Sequence, residues 1–114
     1  MSVVAVVDDM FFASKIRAAA DAVGVEISFP RTKESLIEKA RQADLVIVDL
    51  HSQKFDPLSL PAELSGARLL GFFSHVEVEL QRQALAAGYD RVVPRSVFAR
   101  DLGQILTGAG APPS

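Results

Sequence analysis

The chain has 114 residues, of which 49% are hydrophobic, and its 12 basic and 14 acidic residues give a formal net charge of −2. This length predicts a single domain with its own core, and the near-neutral charge, without a basic stripe, argues against a nucleic-acid partner. The sequence contains no cysteine, which excludes disulfide bonds and thiolate metal sites. Residues 1–9 lack the basic start and the cleavage site of a signal peptide, and no apolar run reaches the roughly 18 residues of a membrane span. We therefore expect a cytoplasmic protein with no membrane partner.

The apolar pattern predicts strands and helices in alternation along the chain. Continuous apolar runs are typical of strands buried on both faces, whereas an alternating or short run is typical of an edge strand. The continuous runs lie at 3–7, 45–48 and 69–73, and the expected edge strands lie at 25–29 and 91–93. Apolar residues spaced by three and four predict helices at 10–23, 33–42, 76–87 and 97–106, with a short helix at 58–64.

This alternation predicts a three-layer α/β domain in which helices cover both faces of a parallel sheet. The implied strand order is 2-1-3-4-5, the flavodoxin-like arrangement. We expect the domain to span residues 1–106 and residues 107–114, rich in glycine, alanine and proline, to form a disordered tail.

Acidic residues follow two of the predicted central strands. Asp8 and Asp9 come after the first strand and Asp49 after the third, on either side of the point where the strand order reverses and where such sheets bind ligands. Two carboxylates 4 Å apart repel each other by roughly 4 kcal/mol at an effective dielectric constant near 20. Such a cluster therefore needs a cation, a shared proton or nearby donors, and Mg²⁺ suits a site made only of oxygen ligands.

Potential phosphate contacts follow the last two strands. Ser74, after the fourth strand, offers a hydroxyl group, and Arg95, after the fifth, offers a fork of charged donors. A phosphate bound among carboxylates would again require a metal ion, so these residues point to the same chemistry as the acids.

The residues resemble those of the receiver domain of bacterial response regulators. The resemblance rests on Asp8-Asp9 after the first strand, Asp49 after "DLVIV", Ser74 after "LLGFF" and Arg95 after "DRVVP", and it extends from residue 1 to about residue 106. It implies a signalling protein, not an enzyme, in which a sensor histidine kinase or a phosphotransfer protein passes a phosphoryl group to Asp49.

The same resemblance implies the remaining roles. Asp8, Asp9 and Asp49, with the backbone carbonyl of His51, would hold Mg²⁺, and Ser74 and Arg95 would contact the phosphate. An output protein would bind the face formed by the fourth helix, the fifth strand and the fifth helix. We expect a monomer or a weak dimer.

Four positions depart from the receiver pattern. Arg95 and Ser96 stand where the family has lysine and proline, Val92 replaces the aromatic switch residue, and His75 replaces a small residue beside the phosphorylation site. Since arginine does not substitute conservatively for lysine, these changes favour a second interpretation: a pseudo-receiver that binds its partner without phosphorylation. A third, an enzyme or cofactor binder of flavodoxin-like fold, is disfavoured because residues 8–12 are acidic and bulky and would repel a phosphate group.

Several of these residues also have purely structural interpretations. Asp9 could serve only as the N-cap of the first helix, and Ser74 with Glu77 could form a capping box for the fourth. Arg95 could be a surface ion-pair residue. Of the two adjacent phenylalanines, Phe11 and Phe12, we expect one to pack inward and the other to cover the rim of the pocket.

Overall fold

The computed structural model describes residues 1–74 and 77–108, and it confirms the predicted α/β alternation. All strand pairings are parallel, and the sheet has five strands in the order β2-β1-β3-β4-β5, as the sequence predicts. The strands are β1 (Ser2–Val6), β2 (Glu26–Ser28), β3 (Leu45–Asp49), β4 (Leu69–Phe73) and β5 (Arg91–Pro94).

Helices follow the strands on both faces of the sheet. They are α1 (Met10–Val23), α2 (Lys33–Ala40), α3 (Leu60–Glu63), α4 (Val78–Ala87), α5 (Arg95–Arg100) and α6 (Leu102–Thr107). Helix α3 has only four residues, in keeping with the short helix predicted between β3 and β4.

The residues at the two ends of α1 determine where this helix starts and stops next to the site. Asp9 adopts an extended conformation and its carboxylate accepts the backbone N–H groups of Phe11 and Phe12, so it is the N-cap. Gly24 closes the helix in the left-handed conformation, with φ 73°, which glycine adopts without steric cost. The acidic residue at the end of β1 is therefore also the residue that starts α1.

Two hydrophobic clusters lie on opposite faces of the sheet. One joins α1, α5 and α6 to the sheet and includes Ile16, Phe72 and Phe98. The other joins α2, α3 and α4 to the opposite face and includes Leu36 and Val92. All five residues of β3 and of β4 are buried, as expected for strands covered on both faces.

The end of the chain differs from its prediction. The helix predicted at 97–106 is two helices, α5 and α6, which meet at Asp101 (φ −100°, ψ 14°). Aspartate is a poor helix former, and Phe98 before it and Leu106 after it are both buried in the core. Helix α6 continues to Thr107, into the predicted tail, and residues 109–114 lie outside the described residues.

The predicted capping box is wrong. Helix α4 begins at Val78, so Glu77 occupies the N-cap position itself, and its side chain makes no capping hydrogen bond. Ser74 therefore stands too far before the helix to cap it. The Ser-x-x-Glu spacing is a local pattern, and such patterns place the ends of helices less reliably than their existence.

Among the described residues, none of the helices has the length and apolar character needed to cross a lipid bilayer.

Candidate functional site

The predicted site residues lie at the carboxyl edge of the sheet. Asp8 and Asp9 follow β1, Asp49 is the last residue of β3, Ser74 follows β4, and Arg95 follows β5 as the first residue of α5. Because all five strands are parallel, their carboxyl ends share this edge. The fold thus brings together residues that are far apart in the sequence.

Asp49 is the buried carboxylate of the site, with 9% of its surface exposed. Its Oδ1 accepts the backbone N–H of His51 at 2.9 Å. Burial raises the pKa of Asp49 above its ordinary value, and the negative charge of Asp8 adds to this effect, whereas the His51 N–H and the charges of His51 and Arg95 act in the opposite direction. The pairing of β1 with β3, in which Val6 lies opposite Val48, places Asp8 at the strand end next to that of Asp49.

Asp8 is held by the loop that follows β3. Its Oδ1 accepts the hydroxyl group of Ser52 at 2.7 Å, and its Oδ2 accepts the backbone N–H of Gln53 at 2.8 Å. These two hydrogen bonds link the end of β1 to the segment immediately after Asp49. The carboxylate of Asp8 thus has a fixed orientation that β1 alone would not provide.

Asp9 is paired with Arg95. Nη2 of Arg95 lies 3.1 Å from Oδ2 of Asp9, while Oδ1 of Asp9 caps α1. The guanidinium carbon of Arg95 is 4.1 Å from the centroid of the Phe12 ring, and this cation–π contact stabilises the charged guanidinium in its position. The Arg95 hydrogen bond is the main cause of a pKa of Asp9 below its ordinary value, and the Phe12 and Phe11 N–H groups contribute to it. The ion pair and the N-cap interpretations of these residues therefore both apply.

The two phenylalanines after the acids face in different directions. Phe12 is buried and its ring lies 5.3 Å from that of Phe72, between centroids. Phe11 is 91% exposed, and its neighbour Met10 is 81% exposed. The prediction that one ring packs inward is confirmed, and the other projects into solvent beside the site.

Ser74 and Arg95 line an open groove of about 980 Å³, and the Arg95–Asp9 hydrogen bond connects this groove to the acids. The groove runs between the starts of α4 and α5 and is walled on its other side by Phe12 and Lys15 of α1. Val92, where receivers have an aromatic residue, is buried in the core on the α4 side of the sheet. His75 lies outside the described residues.

The chemistry of the donor set fits a hard divalent cation. Mg²⁺ binds one or two carboxylates together with water and phosphate oxygens, and Asp8 and Asp49 supply two interacting carboxylates. Within residues 1–74 and 77–108, however, no three carboxylate or histidine side chains converge closely enough to enclose a metal ion. Asp9 would have to break its ion pair with Arg95 before it could bind the cation. The role expected of the His51 carbonyl as a metal ligand stays a prediction.

Sequence reasoning missed two parts of this site. Ser52 and Gln53 bind Asp8, although they lie in the least regular part of the sequence. Phe12 supports Arg95, although its spacing identified it only as a core residue. A serine shortly after a candidate acid is too common a feature to have predicted the contact between Ser52 and Asp8. The contact between Phe12 and Arg95 depends on how α1 packs against α5.

Comparisons with known proteins identify the fold. No protein-family model and no curated protein matches the sequence. The structure is similar to the crystal structure of a response regulator from Thermotoga maritima, with a TM-score of 0.74 and 13% identity over 97% of this chain and 98% of that one. It is also similar to a response regulator from Hahella chejuensis (TM-score 0.80, 18% identity, 96% of this chain and 95% of that one). A third similar structure is a response regulator receiver protein from Burkholderia phymatum (TM-score 0.69, 20% identity, 93% and 94% covered).

These neighbours match almost the whole chain while sharing at most a fifth of its residues. The strand order and the helices on both faces agree with that likeness. The chain therefore has the flavodoxin-like fold of the receiver domain of response regulators, in a divergent sequence.

Proposed function

We propose that this chain is a receiver-like signalling module in which Asp49 accepts a phosphoryl group and the domain then acts through contact with another protein. The observation that carries the proposal is the position of Asp49: a buried carboxylate at the carboxyl end of a central strand, beside Asp8 and within the electrostatic influence of Arg95. Asp49 is the last residue of β3, so its carboxylate lies at the edge of the sheet, which is the side from which a donor would approach.

The proposed step is a transfer between a phosphohistidine of a kinase or phosphotransfer protein and Asp49. Oδ1 of Asp49 accepts the His51 N–H, so we assign the attack on phosphorus to Oδ2. An O–P bond forms as the P–N bond of the donor breaks, and the donor imidazole leaves and takes up a proton. Transfers of this kind depend mainly on position and on charge stabilisation.

The surrounding residues would orient the Asp49 carboxylate and neutralise the charge of the phosphoryl group. Asp8 and Asp49, with Asp9 and the His51 carbonyl as further ligands, would hold Mg²⁺, which supplies neutralisation of the charge on the transferring group. Arg95 and Ser74 would donate hydrogen bonds to the phosphate oxygens. The His51 N–H would keep the Asp49 carboxylate in one orientation.

Contact with other proteins is supported by the surface around the site. Met10 and Phe11 expose apolar side chains beside Asp9, and apolar surface of this kind is typical of interaction sites. The groove that contains Ser74 and Arg95 continues along α4 and α5 past Val78, which is 59% exposed. We assign the first surface to the phosphoryl donor and the second to the output partner.

A second candidate function is binding that needs no phosphorylation. The observation that favours it is the ion pair between Arg95 and Asp9, which supplies positive charge to the acids from within the chain. With Asp8 held by Ser52 and Gln53 as well, each carboxylate has a partner in the protein itself. A pocket whose carboxylates are held in this way would remain in one conformation and present a constant surface.

Treatment with a small acyl phosphate and Mg²⁺ distinguishes the two. We expect the intact mass to increase by one phosphoryl group, and Asp49→Asn to abolish the increase. Asp56→Asn is the matched control, since Asp56 is an exposed acid in the same loop region whose carboxylate contacts the Leu58 N–H instead. A folded chain that gains no mass, and whose amide resonances near Asp49 do not respond to beryllofluoride, would leave the second candidate in place of the first.

A further inference from the structure

Ser52 is an unusual residue in this fold because its polar side chain is buried. Among the described residues, the buried polar or charged side chains are those of Asp49, 9% exposed, and Ser52, 6% exposed. Ser52 lies three positions after Asp49 in a loop, where a serine normally faces solvent. Its hydroxyl group instead donates to Oδ1 of Asp8 at 2.7 Å.

The loop around Ser52 is tied to both acids. The backbone N–H of Ser52 donates to the carbonyl oxygen of Asp49 at 2.9 Å, and the N–H of Lys54 donates to the Ser52 hydroxyl oxygen at 3.3 Å. The Ser52 hydroxyl thus donates one hydrogen bond and accepts another. Together with the Gln53 N–H on Oδ2 of Asp8, it gives each oxygen of that carboxylate one donor.

We propose that Ser52 is a positioning residue that fixes the carboxylate of Asp8 beside Asp49 and thereby sets the affinity of the site for a divalent cation. This inference rests on the metal site of the proposed function. A carboxylate offers about four lone-pair positions, so two hydrogen bonds leave room for a cation on the same group. Groups that orient a metal ligand from behind typically change metal affinity about 10- to 100-fold when they are removed.

The position of Ser52 also makes the effect specific to Asp8. Removal of its hydroxyl group leaves the carboxylate with the Gln53 N–H as its loop donor and frees it to rotate away from Asp49. The repulsion between the two acids favours that rotation. The cation would then have to restore an arrangement that the Ser52 hydroxyl provides in the unsubstituted chain.

The test is an Mg²⁺ titration of the full chain, in which the backbone amide NMR shifts of His51 and Gln53 report binding. We expect Ser52→Ala to raise the dissociation constant for Mg²⁺ about 10- to 100-fold and Ser52→Thr, which keeps the hydroxyl group, to restore it. Ser59→Ala is the matched control, because the Ser59 hydroxyl donates to the carbonyl of Asp56 away from the acids. Its Mg²⁺ affinity should equal that of the unsubstituted chain.

The outcomes separate this inference from the proposal on which it rests. If the unsubstituted chain shows no saturable Mg²⁺ response, the metal site and the role of Ser52 both fail. If it binds Mg²⁺ and Ser52→Ala binds it equally well, only the role of Ser52 fails. Should Ser52→Ala not fold, Ser52→Cys serves instead: its weak donor should give an intermediate affinity, and an affinity equal to that of the unsubstituted chain would overturn the inference.

Discussion

At the scale of single residues, the acids of this site are alike in chemistry and different in environment. Asp49 is buried, Asp9 is exposed and bound to Arg95, and Asp8 is held by a loop. Burial penalises the charged form of a carboxylate, whereas a neighbouring guanidinium favours it. The pKa values of Asp49 and Asp9 are therefore shifted in opposite directions from the same ordinary value of 3.8.

The raised pKa of Asp49 predicts that its charge opposes folding at neutral pH. Protons bind more tightly to the folded state, so the free energy of unfolding falls as the pH rises from 3.8 through the folded-state pKa. Asp49→Asn removes this penalty and can still accept the His51 N–H. We expect the variant to be more stable than the unsubstituted chain at pH 7 and equally stable below about pH 3.8, as measured by thermal unfolding across that range. A difference that persists unchanged in acid would contradict the assignment.

Arg95 competes with any cation for Asp9. Arg95→Ala should therefore strengthen Mg²⁺ binding by roughly two- to fivefold, the scale of an exposed ion pair, whereas Arg95→Lys, which keeps the charge but loses the planar guanidinium, should strengthen it less. Isothermal titration with Mg²⁺ measures the change. Arg100→Ala provides the control, because Arg100 pairs with Asp101 outside the site. Weaker Mg²⁺ binding by Arg95→Ala would show that the guanidinium supports the metal site instead of opposing it.

At the scale of elements, α1 divides its first turn between the core and the solvent. Phe12 contacts the rings of Phe72 and Phe98 and carries Arg95 on its face, while Phe11 projects outward. Through Phe12, the helix holds Arg95 against the core, and through Phe11 it exposes an apolar side chain to solvent. Successive side chains of a helix point in directions roughly 100° apart, so adjacent phenylalanines can lie on different sides of α1.

Substitution of these neighbouring phenylalanines should give very different results. Phe12→Ala removes a buried ring and should lower the free energy of unfolding by about 3–5 kcal/mol, while Phe11→Ala should change it by about 0.5 kcal/mol or less. Chemical denaturation of the two variants measures both values. Equal losses would mean that Phe11 also packs against the domain.

At the scale of the whole molecule, one sheet separates two hydrophobic clusters and is shared by both. Ile16 of α1 and Leu36 of α2 are fully buried on opposite faces. Every central strand contributes alternate residues to the two clusters, so neither face can lose its packing without weakening the sheet. We therefore expect the two faces to unfold together.

This cooperativity can be tested with one substitution on each face. Ile16→Ala and Leu36→Ala should each cost about 2–5 kcal/mol, and each variant should unfold in a single transition that circular dichroism and fluorescence of an added apolar dye report at the same denaturant concentration. Separate transitions in either variant would show that the faces are independent.

The sequence by itself determined the architecture and the edge at which the acids lie. Strand type, helix spacing and the βα alternation are local patterns, and a parallel sheet of this order brings the ends of β1 and β3 together. Tertiary structure decided the partner of each acid, because those contacts join residues remote in sequence: Ser52 and Asp8 are 44 positions apart, and Arg95 and Asp9 are 86 apart. It also decided that α4 begins at Val78 and that the last helix divides at Asp101, because the spacing of apolar residues marks the face of a helix and not its ends.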